Sequence, residues 1–327
     1  MRILITGGAG FIGSHLTERL LSDGHEVVSI DDLSTGSVDN IAAIRNHPRY
    51  RFHAETIFNR PLTSELVDAA DVVFHLAAAV GVKRIVDYPV QTIETNVRGS
   101  EIVLEAASKK NKRTFIASTS EVYGKSTKIP FSETDDLVLG STYNSRWAYA
   151  CSKAIDEFLA LAYFRERQLP VTIMRFFNTV GPRQTGRYGM VLPTFVRQAL
   201  LNEPVTVYGD GQQSRCFGHV FDVVDALLLL LKCDRAPGEI FNIGNTEEVT
   251  IADLARMVIA SCNSSSRIVY VPYSEAYGPG FEDMSRRVPD ITKAREWIGF
   301  DPKRSLDNII SSVVDFERTA LSARLGA

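Results

Sequence analysis

The chain has 327 residues, 45% of them apolar and 23% charged, with a formal charge of −3. That is enough for one large and one smaller domain at about 150 residues each, and the near-neutral balance gives no steering towards nucleic acid or an anionic membrane. The longest apolar run, residues 226–231, falls far short of the roughly 20 residues that cross a bilayer and reads as a buried helix.

The sequence opens directly on the strand-like Arg2-Ile3-Leu4-Ile5, and no signal peptide is expected. The four cysteines, Cys151, Cys216, Cys233 and Cys262, are scattered without a CxxC pair. Neither a disulfide framework nor a metal site is expected, and a reducing, cytoplasmic setting fits.

Through the first half, short β-branched runs alternate with amphipathic stretches. Residues 3–5 read as a strand, followed by a glycine-rich turn and a helix over 13–22. Residues 27–30, 72–76, 114–117 and 171–175 read as further strands. Strands separated by helices imply right-handed crossovers and a largely parallel sheet. The expected fold is therefore α/β, a Rossmann-like mostly parallel sheet with a smaller mixed α/β substrate domain. After Asn178 the pattern is broken by Gly181, Pro182, Gly186 and Gly189, before helical stretches near 192–201 and 250–260. The expected division is a predominantly dinucleotide-binding part over 1–180 and a predominantly substrate-binding part over 181–327, interleaved with the first.

Gly7-Gly8-Ala9-Gly10-Phe11-Ile12-Gly13 places GxxGxxG between a strand and a helix. Gly7 suits the tight turn, Gly10 lets the backbone approach a pyrophosphate, and Gly13 permits close packing of the helix. Gly7, Gly10, Phe11, Ile12 and Gly13 are the cofactor contacts expected here. Asp31, 24 positions after Gly7, ends the second strand. Its carboxylate can accept both hydroxyls of an adenosine ribose and would repel a 2′-phosphate, which favours NAD over NADP. Adjacent Asp32 is the other candidate, or a turn residue.

Thr119-Ser120-Glu121-Val122-Tyr123-Gly124 follows a strand, and Tyr149 and Lys153 form a YxxxK pair at a helix start. Four residues apart on a helix, the two side chains share a face. The lysine cation is expected to lower the phenol pKa so that Tyr149 removes a sugar hydroxyl proton as hydride leaves carbon, with Thr119 holding the same oxygen. Taken alone, YxxxK also reads as a helix-surface pair and Tyr149 as a core aromatic, and Glu121 also as a helix cap or ion-pair partner. His75, at a buried strand end, and His219 read as structural, since neither has metal-ligand companions at convincing spacing.

With these marks the chain resembles the extended short-chain dehydrogenase/reductase family of nucleotide-sugar enzymes, along its whole length. The family-wide marks are the glycine loop, His75-Leu76-Ala77-Ala78, Asn96, Thr119, Tyr149, Lys153 and Arg175-Phe176-Phe177-Asn178. Closer marks resemble UDP-glucuronate decarboxylases, including the decarboxylase half of the lipid A aminoarabinose pathway enzyme. These are the run 119–124, Arg146-Trp147-Ala148-Tyr149, Gly181-Pro182-Arg183, Arg215-Cys216-Phe217, the run 238–245, Tyr277-Gly278-Pro279-Gly280-Phe281-Glu282-Asp283 and Arg287-Val288-Pro289-Asp290.

The resemblance implies NAD contacts at Leu76, Ala77, Ala78, Asn96, Tyr149, Lys153 and Phe176. It implies a catalytic set of Thr119, Ser120, Glu121, Tyr149, Lys153 and Arg287. Asn178 and Arg215 would meet a substrate diphosphate, Val207 and Tyr208 a uracil, and Val191, Tyr277 and Arg287 further parts of the UDP-sugar. Each has a plainer alternative: Arg215 satisfying loop carbonyls, Arg287 forming a solvated pair with Arg286, Asn178 closing a turn. Two departures bear on the substrate: Ala154 stands where other decarboxylases of the family carry arginine, and Val288 where the lipid A relative carries lysine.

The implied reaction oxidises C4 of UDP-glucuronate, so that the C6 carboxylate becomes β to a ketone and leaves as carbon dioxide. The product is UDP-xylose or a UDP-4-keto-pentose. A UDP-sugar 4-epimerase would use the same Thr119, Tyr149 and Lys153. A 4,6-dehydratase fits less well, because Ser120 stands where its aspartate proton donor is usual. A catalytically silent nucleotide-sugar binder would be expected to have lost Tyr149 or Lys153. Apolar faces near residues 96–109 and 148–167 either pack on the sheet or, by the resemblance, form a homodimer. Neither a membrane nor a nucleic-acid partner is expected.

Overall fold

A computed structural model describes residues 1–186, 189–277 and 282–325. Its centre is a seven-stranded, all-parallel sheet built from β1 (Arg2–Thr6), β2 (Glu26–Ile30), β3 (Tyr50–His53), β4 (Val72–His75), β5 (Arg113–Thr119), β6 (Val171–Phe176) and a seventh strand, Ile240–Ile243. The spatial order runs seventh strand, β6, β5, β4, β1, β2, β3. The chain therefore reverses direction across the sheet between β1 and β4, and that switch opens the crevice in which such sheets bind ligands.

The strands are continuously apolar because both faces are covered. Ile3, Ile5, Phe74 and Phe115 project to one side, where they pack with Leu16 and Leu20 of α1 (Phe11–Ser22) and with apolar residues 223–231. Leu4, Val28, Val73 and Ile116 project to the other, under α2 (Arg60–Ala69), α4 (Pro89–Ser108) and α5 (Trp147–Arg167). A short α3 (Val82–Asp87) precedes α4. The seventh strand and the helix Val220–Leu231 both come from beyond residue 180, so the later half of the chain helps build the nucleotide fold.

A third apolar cluster holds the rest together, around Phe195, Val205, Leu254 and Ile309. Small sheets surround it: Val205–Tyr208 beside Ile268–Val271, and Ser214–Cys216 between Glu248–Thr250 and Arg286–Arg287. The expected helices near 192–201 and 250–260 are Val191–Leu200 and Ile251–Ser261, the second capped by the Thr250 hydroxyl. Among the described residues no helix is long and apolar enough to cross a membrane.

β3 and α2 were not expected from sequence. Tyr50-Arg51-Phe52-His53 is an edge strand in which only Tyr50 is buried, so it lacks the apolar run of its neighbours.

Candidate active site

A cavity of 570 Å³ opens at the ends of β1, β2 and β4. Gly7, Gly10, Phe11, Ile12, Gly13, Asp31, Asp32, Leu76, Ala77, Ala78, Tyr149, Lys153 and Phe176 line it, as do Arg84 and Arg183. Gly7 has φ +76°, and a Cβ there would stand 2.8 Å from the backbone nitrogen of Ala77. A Cβ at Gly13 would collide with the Gly7 carbonyl oxygen. The loop can therefore fold this tightly only with glycine at both places. Gly10 caps α1 without a side chain, which leaves the first amides of the helix for an anionic ligand.

Asp31 is buried at the far end of the cavity. Its two oxygens accept from Ala9 N at 3.0 Å and Leu33 N at 2.8 Å. Burial raises its pKa and these amides oppose the rise. Each oxygen keeps a second lone pair for a ribose hydroxyl. Asp32 is exposed and accepts from Ser34 N at 2.9 Å. Asn96 does not line the cavity. It is buried and braces the loop beside it, accepting from Ala79 N at 2.8 Å and donating to Ser152 Oγ at 3.1 Å.

Arg84 and Arg183 were given no role from sequence. Arg183 reaches the cavity because Gly181-Pro182-Arg183 turns back onto α1, where its guanidinium donates to Glu18 Oε1 at 2.7 Å. Only the sequence mark around Gly181 hinted at it.

The chemical centre lies where β5 ends against α5. Thr119 Oγ1 accepts from Glu121 N at 3.2 Å, starting the 3-10 turn Ser120–Tyr123, in which Ser120 and Glu121 are both buried. Tyr149 and Lys153 stand one helical turn apart on α5, both facing the cavity. The expected lowering of the phenol pKa is not what the surroundings produce. Burial pushes Tyr149 well above its ordinary value and Glu121 adds to the rise, while a hydrogen bond with Thr119 opposes them. The Lys153 ammonium donates instead to Asp156 Oδ2 at 2.6 Å. α5 is fastened to the sheet by Glu157, which takes Arg175 of β6 on both oxygens, at 2.9 and 2.7 Å, and also Ser118.

Beside Tyr149 lies a buried charge cluster. Glu121 pairs with Arg146 through one oxygen and with Arg287 through the other at 3.3 Å. Asp283 takes Arg215 at 2.8 Å and Arg287 at 3.4 Å, with Arg146 at 3.7 Å. Burial alone would raise Glu121, but Arg146 and Arg287 outweigh it and hold the carboxyl below its ordinary range. Burial, and then Arg287, push Arg215 down to about 10.

Strand alternation explains which arginine enters the cluster. Arg286–Arg287 pairs in parallel with Ser214–Cys216. Arg286 points outward to Glu248, at 2.7 Å through each of two nitrogens, and Arg287 points inward. The segment is pinned by Phe131 N donating to Val288 O and Asp290 N to Phe131 O, each at 2.8 Å.

The remaining expected substrate residues surround this region unevenly. Arg215 also donates to the carbonyl oxygens of Ser214 and Ser285, and Asn178 Nδ2 to Cys216 O at 3.1 Å. Val207 is buried in the core, so only its backbone can face a ligand. Exposed Tyr208 stands edge-to-face with Tyr277, ring centroids 5.3 Å apart. Val191 begins a helix and is half-buried. Gly278, Pro279, Gly280 and Phe281 lie outside the described residues. His75 and His219 are both buried and held neutral, at about 3 and about 4, burial being the main cause. No group of three potential metal ligands occurs among the described residues.

A glycine loop at the switch point of a parallel sheet, sharing its cavity with a tyrosine–lysine pair, defines a dinucleotide-dependent enzyme of the short-chain dehydrogenase/reductase class. Comparison narrows the class. The family model described as GDP-mannose 4,6 dehydratase matches residues 4–313. The chain is 42% identical to UDP-N-acetyl-alpha-D-glucosaminuronate decarboxylase of Bacillus cytotoxicus, over 97% of this chain and 98% of that one. It is 35% identical to UDP-glucuronic acid decarboxylase 1 of Arabidopsis thaliana, over 98% of this chain and 71% of the relative. The structure of UDP-glucuronic acid 4-epimerase from Bacillus cereus, in complex with UDP-glucuronic acid and NAD, superposes with a TM-score of 0.88 at 30% identity, covering 98% of this chain and 100% of that one. The chain belongs to the extended short-chain dehydrogenase/reductase family of nucleotide-sugar enzymes, and its cofactor is NAD.

Proposed function

We propose that the protein is an NAD-dependent decarboxylase of a UDP-linked uronic acid, working through a C4 ketone. The observation that carries this reading is the buried cluster beside Tyr149, with three guanidiniums against two carboxylates. Arg146 Nε, Arg146 Nη2 and Arg287 Nε there are buried without a hydrogen-bond partner. Buried donors of this kind call for an acceptor, and the cluster's excess positive charge calls for an anion. A C6 carboxylate answers both.

NAD⁺, when bound, supplies the acceptor for the C4 hydride. Gly7, Gly10 and Gly13 let its pyrophosphate approach the backbone, and Asp31 takes the adenosine ribose. Thr119 and Tyr149 hold the sugar O4. Tyr149 would enter the oxidation as tyrosinate and take the O4 proton as hydride leaves; burial and Glu121 oppose that ionisation, and the Lys153 ammonium and the positive charge of bound NAD⁺ would favour it. With C4 a ketone, the C5–C6 bond breaks, carbon dioxide departs, and its electron pair enters an enolate spanning C5, C4 and O4. Tyr149 and Thr119 stabilise that oxyanion. C5 then takes its proton from water, and Glu121 is held below its ordinary range by two arginines. It offsets the charge of Arg146 and Arg287 so that the substrate carboxylate is not bound too tightly to leave.

UDP-glucuronate is the first substrate to test. The 42% identity to the Bacillus cytotoxicus decarboxylase favours its N-acetylated C2 analogue as the second. Purified protein with NAD⁺ and each sugar, followed by mass spectrometry, should release carbon dioxide. A UDP-pentose shows a closed redox cycle, and a keto-pentose with NADH an open one. Inversion at C4 without loss of mass would replace this reading with epimerisation.

We also infer a cytoplasmic homodimer. Free thiols at all four cysteines support the compartment. Val90, Ile93, Ile155 and Phe158, exposed on α4 and α5, support the dimer face.

A further inference from the structure

Asp156 is fully buried, three residues after Lys153 on α5, and takes the lysine ammonium on Oδ2. Near it runs a chain of hydrogen bonds. Ala77 N donates to Thr6 Oγ1 at 3.2 Å, and Thr6 Oγ1 and His75 Nδ1 share a hydrogen bond of 2.8 Å. His75 is neutral, so one ring nitrogen donates and the other accepts, and Nε2 meets Ser100 Oγ at 3.2 Å. Ser100 lies near enough to Asp156 to oppose the rise that burial gives its carboxyl, while Asp156 Oδ1 is buried without a hydrogen-bond partner. One end of this chain is the Ala77 amide, packed against Gly7 in the cofactor loop. The other is Ser100, beside the carboxylate that takes the Lys153 ammonium.

We propose that Asp156 is a positioning residue for the reaction: set beside the Ser100, His75 and Thr6 chain that ends at the cofactor loop, it fixes the Lys153 ammonium in the cofactor cavity, one helical turn from Tyr149. A buried ion pair contributes little to stability compared with apolar residues of the same volume, so folding alone does not account for it. His75 is a connector here, because a ring held neutral neither takes nor passes a proton at working pH.

The groups that face Tyr149 are Glu121 from the 3-10 turn, Thr119 from β5, Asp156 from its own helix and Arg146 at the cap of that helix. Those that face Asp156 are Lys153 and Glu157 on α5, with Ser100 from α4. Asp156 is one of the two carboxylates that push the phenol upward. Neutralising it therefore lowers the pH at which Tyr149 gains its proton.

The test compares D156N, D156E and S100A with wild type by affinity for NAD⁺, melting temperature, and the pH profile of kcat/KM on whichever UDP-sugar is turned over. D156N should move the acid limb of the profile down by about one pH unit and weaken NAD⁺ binding several-fold. D156E should restore the limb. S100A, which keeps the charge, should leave the limb in place and lower kcat about tenfold with KM little changed. NAD⁺ affinity needs no sugar, so it reads the proposal even if the uronate assignment fails. A folded D156N with limb and affinity both at wild-type values overturns the proposal. If D156N does not fold, wild-type kcat and NAD⁺ affinity in S100A overturn it equally.

Discussion

Arg146 and Glu121 form an ion pair closed off from water, and Glu121 holds Arg287 on its second oxygen. One carboxylate thus sets the strength of two arginines towards a substrate anion. E121Q should increase the cluster's positive excess, so the ground-state carboxylate binds more tightly while the transition state, in which that charge is leaving, gains less. The expected result is a lower KM and a kcat reduced about 100-fold in carbon dioxide release. A higher KM with kcat intact would show that Glu121 contacts the sugar and does not temper the arginines. R146M removes a charge the glutamate depends on, and should cost both melting temperature and kcat.

Asp31 has each oxygen already committed to a loop amide, so it serves the loop and the ribose together. D31A should weaken NAD⁺ about tenfold or more, from the lost charged hydrogen bonds, and should narrow the gap between NAD⁺ and NADP⁺. Titration of both cofactors by calorimetry checks this. If the NAD⁺ to NADP⁺ ratio is unchanged in a folded variant, Asp31 does not discriminate at the 2′ position.

Acid should weaken the fold through its buried histidines. His75 and His219 have ordinary values of 6.5 and stand at about 3 and about 4 in the folded chain, because burial disfavours the charged ring. Below pH 6.5 the unfolded chain binds protons that the folded chain refuses. Stability from these groups is therefore complete above pH 6.5 and falls as pH drops towards 4 and then 3. H75Q, which cannot charge, should flatten part of that slope in urea unfolding between pH 6.5 and 4. An unchanged slope would mean that His75 is not protected from protonation.

What the sequence revealed and what it hid differ in range. The glycine loop, Asp31 and the buried strands are local patterns, each within a few residues, and the cavity gathers them because the sheet's topology does so for every chain of this kind. Tyr149 and Lys153 were visible for the same reason. Arg146 was visible only as part of a motif, since its burial depends on Glu121, 25 positions earlier, and on Asp283, far later in the chain. Arg287 could not be told from Arg286 until pairing with Ser214–Cys216 set which side each faced. The upward push on the Tyr149 phenol was not legible, because YxxxK shows one neighbouring charge and neither the burial nor Glu121.

The apolar faces of α4 and α5 divide between two uses. Val103, Leu104 and Ala160 pack in the core against the sheet, but Val90 is 69% exposed and Phe158 is 70% exposed. Ile155 lies one turn before Phe158 on the same side of α5, and Ile93 adds to the exposed side of α4. Exposed apolar groups clustered on two adjacent helices suit an isologous contact with a second copy, in which each helix pair meets its twin. Phe158, 70% exposed and the most exposed large apolar side chain of α5, belongs at the centre of such a contact, where a charge would lose its water without gaining a partner. F158E should therefore raise the dimer dissociation constant about 100-fold or more, and sedimentation velocity at micromolar concentration should show a monomer. Tyr149, Lys153 and Asp156 lie buried on the same helix, so the monomer should keep its NAD⁺ affinity. A variant that still sediments as a dimer would place the contact on another face.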